Sequence, residues 1–261
     1  MTTFILTCLV LLLIGQFVLY RKIYRVHLSV FQCIDNVRIA CDNSISQLED
    51  LLALYLLIRP RRDLPKLRGW AASPDFLRKC IELLDEMLNN RRQLTVVEFG
   101  SGASTVVLAN FLSNKNAGVV LSFDHDADYA EKTKNMLAER GLSNCAKVVH
   151  APLTEVELAN YRGKFYNLSI IARECNNSKV DVLIVDGPPA PIQADIRFPA
   201  LPSMVNLLSC GAVIILDDAD RSGEREIIAK WEDMYAEIKF EFVKTEKGLA
   251  MARWQGRAES I

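Results

Sequence analysis

Several features that mark nucleic-acid-binding or metal-cluster proteins are missing from this chain. Its 31 lysines and arginines are balanced by 32 aspartates and glutamates, for a formal net charge of −1. Few basic residues are clustered, so the sequence gives no electrostatic footprint for RNA or DNA. We also find no internal repeat and no low-complexity tract.

Cysteine is present, but in no metal-binding or disulfide pattern. The seven cysteines are an odd number, and no spacing among them matches a metal motif or a paired framework. This usage is typical of a protein whose thiols lie in a reducing compartment. Most of these cysteines are expected to be small buried hydrophobic residues.

A glycine turn between an apolar run and a helical pattern is the most informative motif. Residues 96–99 are followed by Gly100-Ser101-Gly102 and then by an apolar helix, of which Ser104 is the expected N-cap. Glycine lets the main chain approach a ligand closely, and the free N–H groups of the helix start favour a carboxylate or phosphate. The motif predicts a ligand cradle.

Two ligand classes lack their required residues at this turn. No lysine follows Thr105, which excludes a phosphate-binding loop of the nucleotide-hydrolysing type. Thr105 also replaces the third glycine of a dinucleotide fingerprint, and Glu98 interrupts its apolar strand, so NAD is disfavoured. An acid two residues before the first glycine instead suits S-adenosylmethionine, whose methionine end carries an ammonium beside a sulfonium.

The second apolar run ends in an acid that suits an adenosyl ligand. Asp124 lies about 20 residues beyond the glycines, where a carboxylate can accept both ribose hydroxyls. The alternative is a solvated acid in the turn Asp124-His125-Asp126. Residues 146–150 are predicted as a third strand, with the adenine beside Pro152 and Leu153. The predicted cofactor contacts are Glu98, Gly100, Ser101, Gly102, Ser104, Thr105, Asp124, His125, Pro152, Leu153 and Asp186.

Two more apolar, β-branched runs end in acids. Residues 180–185 lead into Asp186, and residues 211–216 lead into Asp217-Asp218. Such continuous runs are typical of parallel strands covered on both faces, and ligands of open α/β sheets lie beyond the carboxyl ends of the strands. The acids predicted to converge on one crevice are Glu98, Asp124, Asp186, Asp217 and Asp218.

Together these motifs resemble those of class I S-adenosylmethionine-dependent methyltransferases, roughly over residues 66–254. Segments 68–75 and 197–202 resemble bacterial methyltransferases of unassigned substrate that occur with glycan-building enzymes. The resemblance implies an α/β, Rossmann-like seven-stranded sheet, mostly parallel, which an antiparallel C-terminal hairpin closes. We expect that hairpin over residues 237–245 and 249–254.

The resemblance also implies transfer of a methyl group from the sulfonium to an acceptor, which we expect to be an oxygen. Asp186, Asp217 and Asp218 resemble the metal site of catechol-type and macrocin-type O-methyltransferases, which implies Mg²⁺ there. The rigid turn after Asp186 and an aspartate at 218, where catechol-type enzymes have asparagine, depart from that pattern. The predicted catalytic residues are Asp186, Asp217 and His125.

A catalytic metal is not the only interpretation of these acids. Asp218 could instead cap the following helix, or Asp217 could pair with Arg221 at the rim of the crevice. Without a metal, four residues are candidates for the general base, and the sequence does not choose among them. They are His125, Asp186, Asp195 and Asp220.

The N-terminal segment predicts a membrane anchor. Residues 4–20 are uncharged and leucine-rich, and at 1.5 Å per residue they span about 25 Å, near the lower limit for a bilayer. A basic start and a small-residue cleavage site, both typical of a signal peptide, are lacking. Arg21, Lys22 and Arg25 follow the run, so the positive-inside rule predicts a single-pass protein with its catalytic domain in the cytoplasm.

The chain is therefore expected to have three parts. Residues 1–20 are the transmembrane anchor, residues 21–65 a helical stalk with a basic linker, and residues 66–261 one methyltransferase domain of ordinary size. The stalk lacks glycine and proline through residue 58, and its apolar residues recur at spacings of three and four. It is expected to form a homodimer as a short coiled coil, or to pack on its own domain or the membrane.

The acceptor is not specified by the sequence. The anchor favours a glycan, a lipid-linked sugar or another small membrane-proximal acceptor, with residues 66–78 and 187–203 as its wall. Trp70 and Phe198 are expected either to stack on the acceptor or to pack in the core. The alternative function is a non-catalytic adenosyl-binding interaction module tethered to the membrane, against which the intact glycine turn and Asp124 argue.

Overall fold

The computed structural model describes residues 1–67, 69, 71–158, 160–176 and 178–256. By its internal contacts the chain divides into two units, Met1–Leu48 and Glu49–Ile261. The first helix, α1 (Thr2–Ile58), contributes residues to both. By length and composition it could cross a membrane, a test that a signal sequence also passes. Nearly all side chains of the first unit are exposed.

The last turns of α1 belong to the compact second unit. Leu54 and Ile58 are fully buried in its core. The helix ends at Ile58, and Arg59 takes a left-handed conformation (φ 48°) before Pro60, as expected for a helix that meets a proline. Residues 49–65, expected as stalk and linker, thus contribute core side chains, while the division into anchor and stalk stays a prediction.

The second unit is built on a seven-stranded sheet with the order β3-β2-β1-β6-β7-β9-β8. Strands β1, β2, β3, β6 and β7 are parallel, and β9 and β8 form the antiparallel hairpin at the edge. The seven strands are β1 (Leu94–Phe99), β2 (Gly118–Asp124), β3 (Ala146–His150), β6 (Val180–Val185), β7 (Leu208–Asp217), β8 (Glu241–Val243) and β9 (Leu249–Trp254). The helices after α1 are α2 (Pro74–Leu88), α3 (Ala103–Lys115), α4 (Ala127–Glu139), α5 (Leu168–Cys175), α6 (Ala200–Met204) and α7 (Ser222–Met234). The predicted Rossmann-like sheet is confirmed.

Both faces of this sheet are buried. Successive strand residues point to opposite faces, so Val96 packs in one hydrophobic core and Val97 in the other. Ile214 and Ile215 on β7 divide in the same way. Apolar runs without alternation are therefore the consequence of two covered faces.

The hairpin of β4 (Leu153–Leu158) and β5 (Tyr161–Tyr166) is not among the predicted elements. It forms a separate two-stranded sheet between β3 and α5. Its exposed charged residues alternate with buried ones such as Val156 and Phe165. Because the turn between the strands lacks glycine and proline, the sequence gives no strong hairpin signal there.

Candidate active site

The glycine turn leads from β1 into α3, with a different cap from the one predicted. Gly102, not Ser104, is the N-cap, because α3 begins at Ala103. The hydroxyl of Thr105, three residues on, accepts a hydrogen bond from the backbone N–H of Gly102 at 3.0 Å. The prediction of Ser104 as N-cap was wrong, and Ser104 lies within the first turn of the helix.

Glu98, on β1, supports the glycine turn through a hydrogen bond with Thr105. Its side chain is fully buried, and its Oε2 accepts hydrogen bonds from Thr105 Oγ1 at 2.5 Å and Ser122 Oγ at 2.7 Å. Ser122 is its partner in the β1–β2 register. Glu98 Oε1 has no hydrogen-bond partner. Burial raises the pKa of this carboxyl, although hydrogen bonds from neighbouring hydroxyls oppose the rise.

The glycine turn packs directly on the turn that follows β6. Gly100 has a φ of 104°, and a Cβ there would lie 3.1 Å from Gly187 N and 3.2 Å from the carbonyl carbon of Asp186. Only a residue without a side chain permits this approach, so the glycine brings Asp186 beside the cradle. The predicted convergence of these two strand ends is present in the structure.

Asp124 lies at the end of β2 and is tied to the same turn. Its Oδ2 accepts hydrogen bonds from Ser101 N at 3.0 Å and Ser101 Oγ at 2.6 Å, and its Oδ1 accepts one from Asp126 N at 3.0 Å. Only 4% of the residue is exposed, so it is not a solvated acid. His125 Nδ1 lies 3.5 Å from Asp124 Oδ1.

The segment predicted to pass the adenine begins beside Asp124. The N–H of Ala151 donates to the carbonyl of Asp124 at 2.7 Å, which fixes the end of β3. Pro152 is exposed and Leu153 half-buried. Both therefore have surface free for a ligand.

A cleft of about 940 Å³ opens over the glycine turn. One wall is the strap, defined here as residues 64–72, of which Arg68 and Trp70 lie outside the described residues. Other walls are the turn itself, one face of α4 and Asp186. The residues of the turn that line the cleft are Ser101, Gly102, Ala103 and Ser104.

Side chains from two other elements hold the strap. Lys247, in the β8–β9 turn, donates from Nζ to the carbonyls of Ala71 at 3.0 Å and Gly69 at 3.4 Å. On the other side Arg140 Nε donates to the carbonyl of Asp63, which precedes the strap, at 2.9 Å. The wall of the cleft is therefore fixed at both ends.

The acid cluster, defined as Asp186, Asp217 and Asp218, gathers at the ends of β6 and β7. Each residue offers an oxygen, and these oxygens lie within 4.8 Å of one another. Burial, opposed by Arg197, raises the pKa of Asp186 to about 7, and burial with the neighbouring acids raises that of Asp217 well above its ordinary value. Among the described residues, both oxygens of Asp217 and Oδ1 of Asp218 are buried without a hydrogen-bond partner. Hard divalent cations prefer such carboxylate oxygens, so these residues fit Mg²⁺.

The cluster already contains a buried cation, Arg197. Its guanidinium donates to Asp218 Oδ2 at 3.1 Å and lies 3.7 Å from Asp186 Oδ1. Arg221 pairs with Asp218 at 2.8 Å and not with Asp217, so the alternative of an Asp217–Arg221 pair was wrong. Neither guanidinium contacts the carboxylate of Asp217.

The four candidate bases have different surroundings. Asp195 pairs with Lys230, and Asp220 pairs with Arg225 at 3.0 Å, so both are engaged in ion pairs with α7. His125 lies on the Asp124 side of the site. Asp186 is the one of the four that lines the described part of the cleft.

Sequence reasoning missed three functional candidates. Lys247 holds the strap, Arg197 joins the acid cluster, and Tyr166 places a buried hydroxyl without a partner beside Gly187. Arg197 carried a signal, because a charge between the apolar Ile196 and Phe198 predicts a buried and paired guanidinium. Phe198 packs in the core against Tyr161, at 5.8 Å between ring centroids, and the prediction for Trp70 lies outside the described residues.

Comparison with known proteins agrees with this site. Residues 97–219 match a family model described as a methyltransferase domain, and this range contains the glycine turn, Asp124 and the acid cluster. No curated protein matches the chain significantly.

Solved structures share the fold at low sequence identity. An O-methyltransferase from Bacillus cereus in complex with S-adenosylhomocysteine has 17% identity and a TM-score of 0.51, covering 80% of this chain and 90% of that one. TomG of Streptomyces achromogenes, an O-methyltransferase of tomaymycin synthesis in complex with S-adenosylmethionine, has 18% identity, the same coverage and a TM-score of 0.51. The S-adenosylhomocysteine-bound methyltransferase PaMTH1 of Podospora anserina has 12% identity and a TM-score of 0.55, covering 84% and 96%.

These likenesses establish the fold, while the family match covers the residues of the site. The matched range contains the glycine turn after β1 and the acid at the end of β2. The second unit of this chain therefore has the fold of these methyltransferases, and its residues 97–219 are similar to a methyltransferase domain.

Proposed function

We propose that this protein is a membrane-anchored O-methyltransferase that uses S-adenosylmethionine and a divalent cation. The observation that carries the proposal is the acid cluster beside the glycine turn, where three buried carboxylate oxygens have no hydrogen-bond partner in the part of the chain that the structure describes. Buried ionised oxygens are costly unless a cation or a hydrogen-bond donor compensates them. A bound divalent cation would supply the positive charge, and the hydroxyl of a bound acceptor would supply a hydrogen-bond donor.

The proposed cofactor site combines two strand ends. The turn at residues 100–104 would hold the methionine end, and Asp124 would bind the ribose, with His125, Pro152 and Leu153 along the adenosine. When bound, S-adenosylmethionine supplies an electrophilic methyl group. The protein would contribute mainly by alignment, because holding two reactants in contact accounts for much of the acceleration of such reactions.

The acceptor is proposed to bind at Asp186, Asp217 and Asp218. Mg²⁺ held there would lower the pKa of an acceptor hydroxyl. Asp186 lines the cleft and contacts the glycine turn through its backbone, which supports it as the residue that orients acceptor and cofactor together. Asp217 and His125 complete the proposed catalytic set.

The membrane anchor is proposed for residues 1–20, with the catalytic domain on the cytoplasmic side. The apolar helix and the basic residues Arg21, Lys22 and Arg25 support this arrangement. We propose a glycan or lipid-linked sugar as acceptor, because an anchor would hold the domain near such molecules. Pairing of two stalks would give a homodimer.

The test is methyl transfer by the full chain in detergent to a glycolipid extract, with S-adenosylmethionine labelled in its methyl group. We expect label in a lipid-soluble product that survives mild alkali, because a methyl ether resists alkali and a methyl ester does not. Asp217→Asn should abolish the transfer, and Asp220→Asn, a matched change at a surface ion pair, should leave it intact. No labelled product, or label released by alkali, would contradict the proposal.

A further inference from the structure

We propose that Arg197 is a positioning residue for the acid cluster. Its guanidinium fixes the main chain on both sides of the cluster, which leaves the carboxylate of Asp217 free to bind a divalent cation. The inference rests on the proposed function and extends it to a residue outside the ligand set.

Arg197 joins two loops through their backbone carbonyls. Its Nη2 donates to the carbonyl of Asp186 at 2.6 Å and its Nε to that of Pro188 at 3.2 Å, both in the loop after β6. Its Nη1 donates to the carbonyl of Asp217, at the end of β7, at 3.1 Å. The two loops that carry the acid cluster are therefore cross-linked by one buried side chain.

The guanidinium uses different atoms of the three acids. It donates to the carboxylate of Asp218, but it holds Asp217 by the main-chain carbonyl, so it leaves both carboxylate oxygens of Asp217 unoccupied. Within the described part of the chain, these two oxygens are buried and have no side-chain hydrogen-bond partner. An ordinary counterion would bind the carboxylate itself. This division orients Asp217 without occupying the atoms that would bind a cation.

Neighbouring elements fix the position of Arg197. Trp231 on α7 is fully buried and donates from Nε1 to the carbonyl of Phe198 at 2.8 Å. The N–H of Phe198 donates to the carbonyl of Asp195 at 2.8 Å, which closes the turn around Arg197. The guanidinium is thus set by the fold before any ligand binds.

A lysine could not replace this arrangement. The planar fork of arginine reaches several acceptors at fixed angles, whereas an ammonium is a compact point charge. Arg197→Lys keeps the positive charge and removes the bridge between the loops. This variant therefore distinguishes a role of Arg197 in positioning the two loops from a role in compensating the negative charge of the acids.

Arg91 provides a matched control. It also cross-links the starts of β6 and β7, by contacts to Asp181, Ser209 and the carbonyl of Cys210, but at the amino-terminal edge of the sheet. Arg91→Lys is the same chemical change in a similar bridge, far from the acid cluster along both strands. A general loosening of the sheet would affect both variants alike.

The experiment measures Mn²⁺ binding by electron paramagnetic resonance and S-adenosylhomocysteine binding by calorimetry, on the full chain in detergent. We expect Arg197→Lys to weaken Mn²⁺ binding by about tenfold or more, as loss of groups that orient metal ligands does. Its affinity for S-adenosylhomocysteine should stay near the wild-type value, and Arg91→Lys should alter neither. Glu224 on α7 is buried, and its Oε1 lies 3.5 Å from Arg197 Nη1. If Arg197→Lys does not fold, Arg197→Lys/Glu224→Gln, which removes this buried charge beside the lysine, is measured in its place.

Three results would overturn the inference. They are wild-type Mn²⁺ affinity in the Arg197→Lys protein, an equal loss in Arg91→Lys, and no Mn²⁺ binding by the wild type. In the last case retained binding of S-adenosylhomocysteine means that the inference and the proposed divalent cation fail, while the proposed use of S-adenosylmethionine stands. Loss of both ligands from the wild type means that the proposed function fails as well.

Discussion

Gly100 and Gly187 are in backbone contact. A Cβ on Gly100 would lie 3.1 Å from Gly187 N, and a Cβ on Gly187 would lie 3.1 Å from Gly100 Cα. The turns after β1 and β6 therefore meet without a side chain between them. This contact joins the proposed cofactor cradle to the acid cluster.

Gly187→Ala is expected to weaken binding of S-adenosylhomocysteine and to lower the melting temperature. The new Cβ would meet Tyr166 Oη at 2.6 Å as well as Gly100, so the two turns must separate. Gly187→Ala/Tyr166→Phe removes the nearest atom and should recover part of both losses. Gly223→Ala, a helical site with nothing within 4 Å, should raise stability by about 0.5–1 kcal/mol. Unchanged binding in Gly187→Ala would argue against the contact.

Tyr166→Phe alone is expected to leave stability unchanged or to raise it by up to about 1 kcal/mol. The hydroxyl of Tyr166 is buried without a partner, and an unsatisfied buried polar group costs about 1–3 kcal/mol. Tyr161→Phe is the matched change, because the Tyr161 hydroxyl donates to the carbonyl of Lys164 and accepts from Gln193. Tyr161→Phe should lower the free energy of unfolding by about 1 kcal/mol, because it removes these hydrogen bonds. Chemical denaturation of both variants checks the pair, and equal destabilisation would contradict it.

The stability of the domain should depend on pH through Glu98. Burial raises the pKa of this carboxyl above its ordinary value of 4.5. Its contribution to stability is therefore fully present below the ordinary pKa and is lost as pH rises through the raised pKa. We expect the melting temperature of Glu98→Gln, relative to that of the wild type, to rise as pH increases above the ordinary pKa of 4.5.

The melting temperature of Glu82→Gln should change with pH in the direction opposite to that of Glu98→Gln, each relative to the wild type. Burial raises the pKa of Glu82, but hydrogen bonds from Lys79 and Arg78 outweigh it, so the net shift is downward. The stability that Glu82 provides is present above its ordinary pKa and is lost as pH falls. The melting temperature of Glu82→Gln should therefore lie below that of the wild type at neutral pH, and this difference should become smaller as pH falls. Melting curves that move in the same direction with pH for both variants would contradict the assignment.

Lys247→Met is expected to weaken binding of S-adenosylhomocysteine. The ammonium of Lys247 holds the carbonyls of Gly69 and Ala71, and without it one end of the strap over the cleft is released. Lys244→Met changes an exposed lysine three residues earlier and is the control. Calorimetry on the two variants measures the effect. Equal affinities would mean that the strap does not contact the cofactor.

The strands were predictable because their apolar runs reflect burial on both faces of the sheet, as Val96 and Val97 illustrate. The acids at the strand ends were predictable because parallel strands end at the same edge. Contacts that depend on the tertiary structure could not be predicted from the sequence. Arg197 reaches carbonyls 9 to 20 residues away in sequence, and no local pattern encodes those partners. The pairing of Arg221 with Asp218 joins residues only three apart, but it occurs where Asp218 takes a left-handed turn (φ 62°) after β7, and the sequence did not reveal that turn.

The start of α3 could not be predicted from the sequence pattern either. Ser104 has the side chain of an N-cap, but the tight turn starts the helix at Ala103 and the hydroxyl of Thr105 satisfies the N–H of Gly102. Thr105 could fill this role because Glu98 and Ser122 hold its hydroxyl from the sheet side. The local preference of serine was thus overridden by a network between β1, β2 and α3.

We infer that the glycine turn and Asp124 hold an adenosyl cofactor. Calorimetric titration of the full chain in detergent with S-adenosylhomocysteine, with and without Mg²⁺, tests this for the wild type, Asp124→Ala and the exposed Asp128→Ala. We expect micromolar binding by the wild type and Asp128→Ala, and loss of binding in Asp124→Ala while its melting transition is retained. No binding by the wild type under either condition, or unchanged binding in Asp124→Ala, would contradict it.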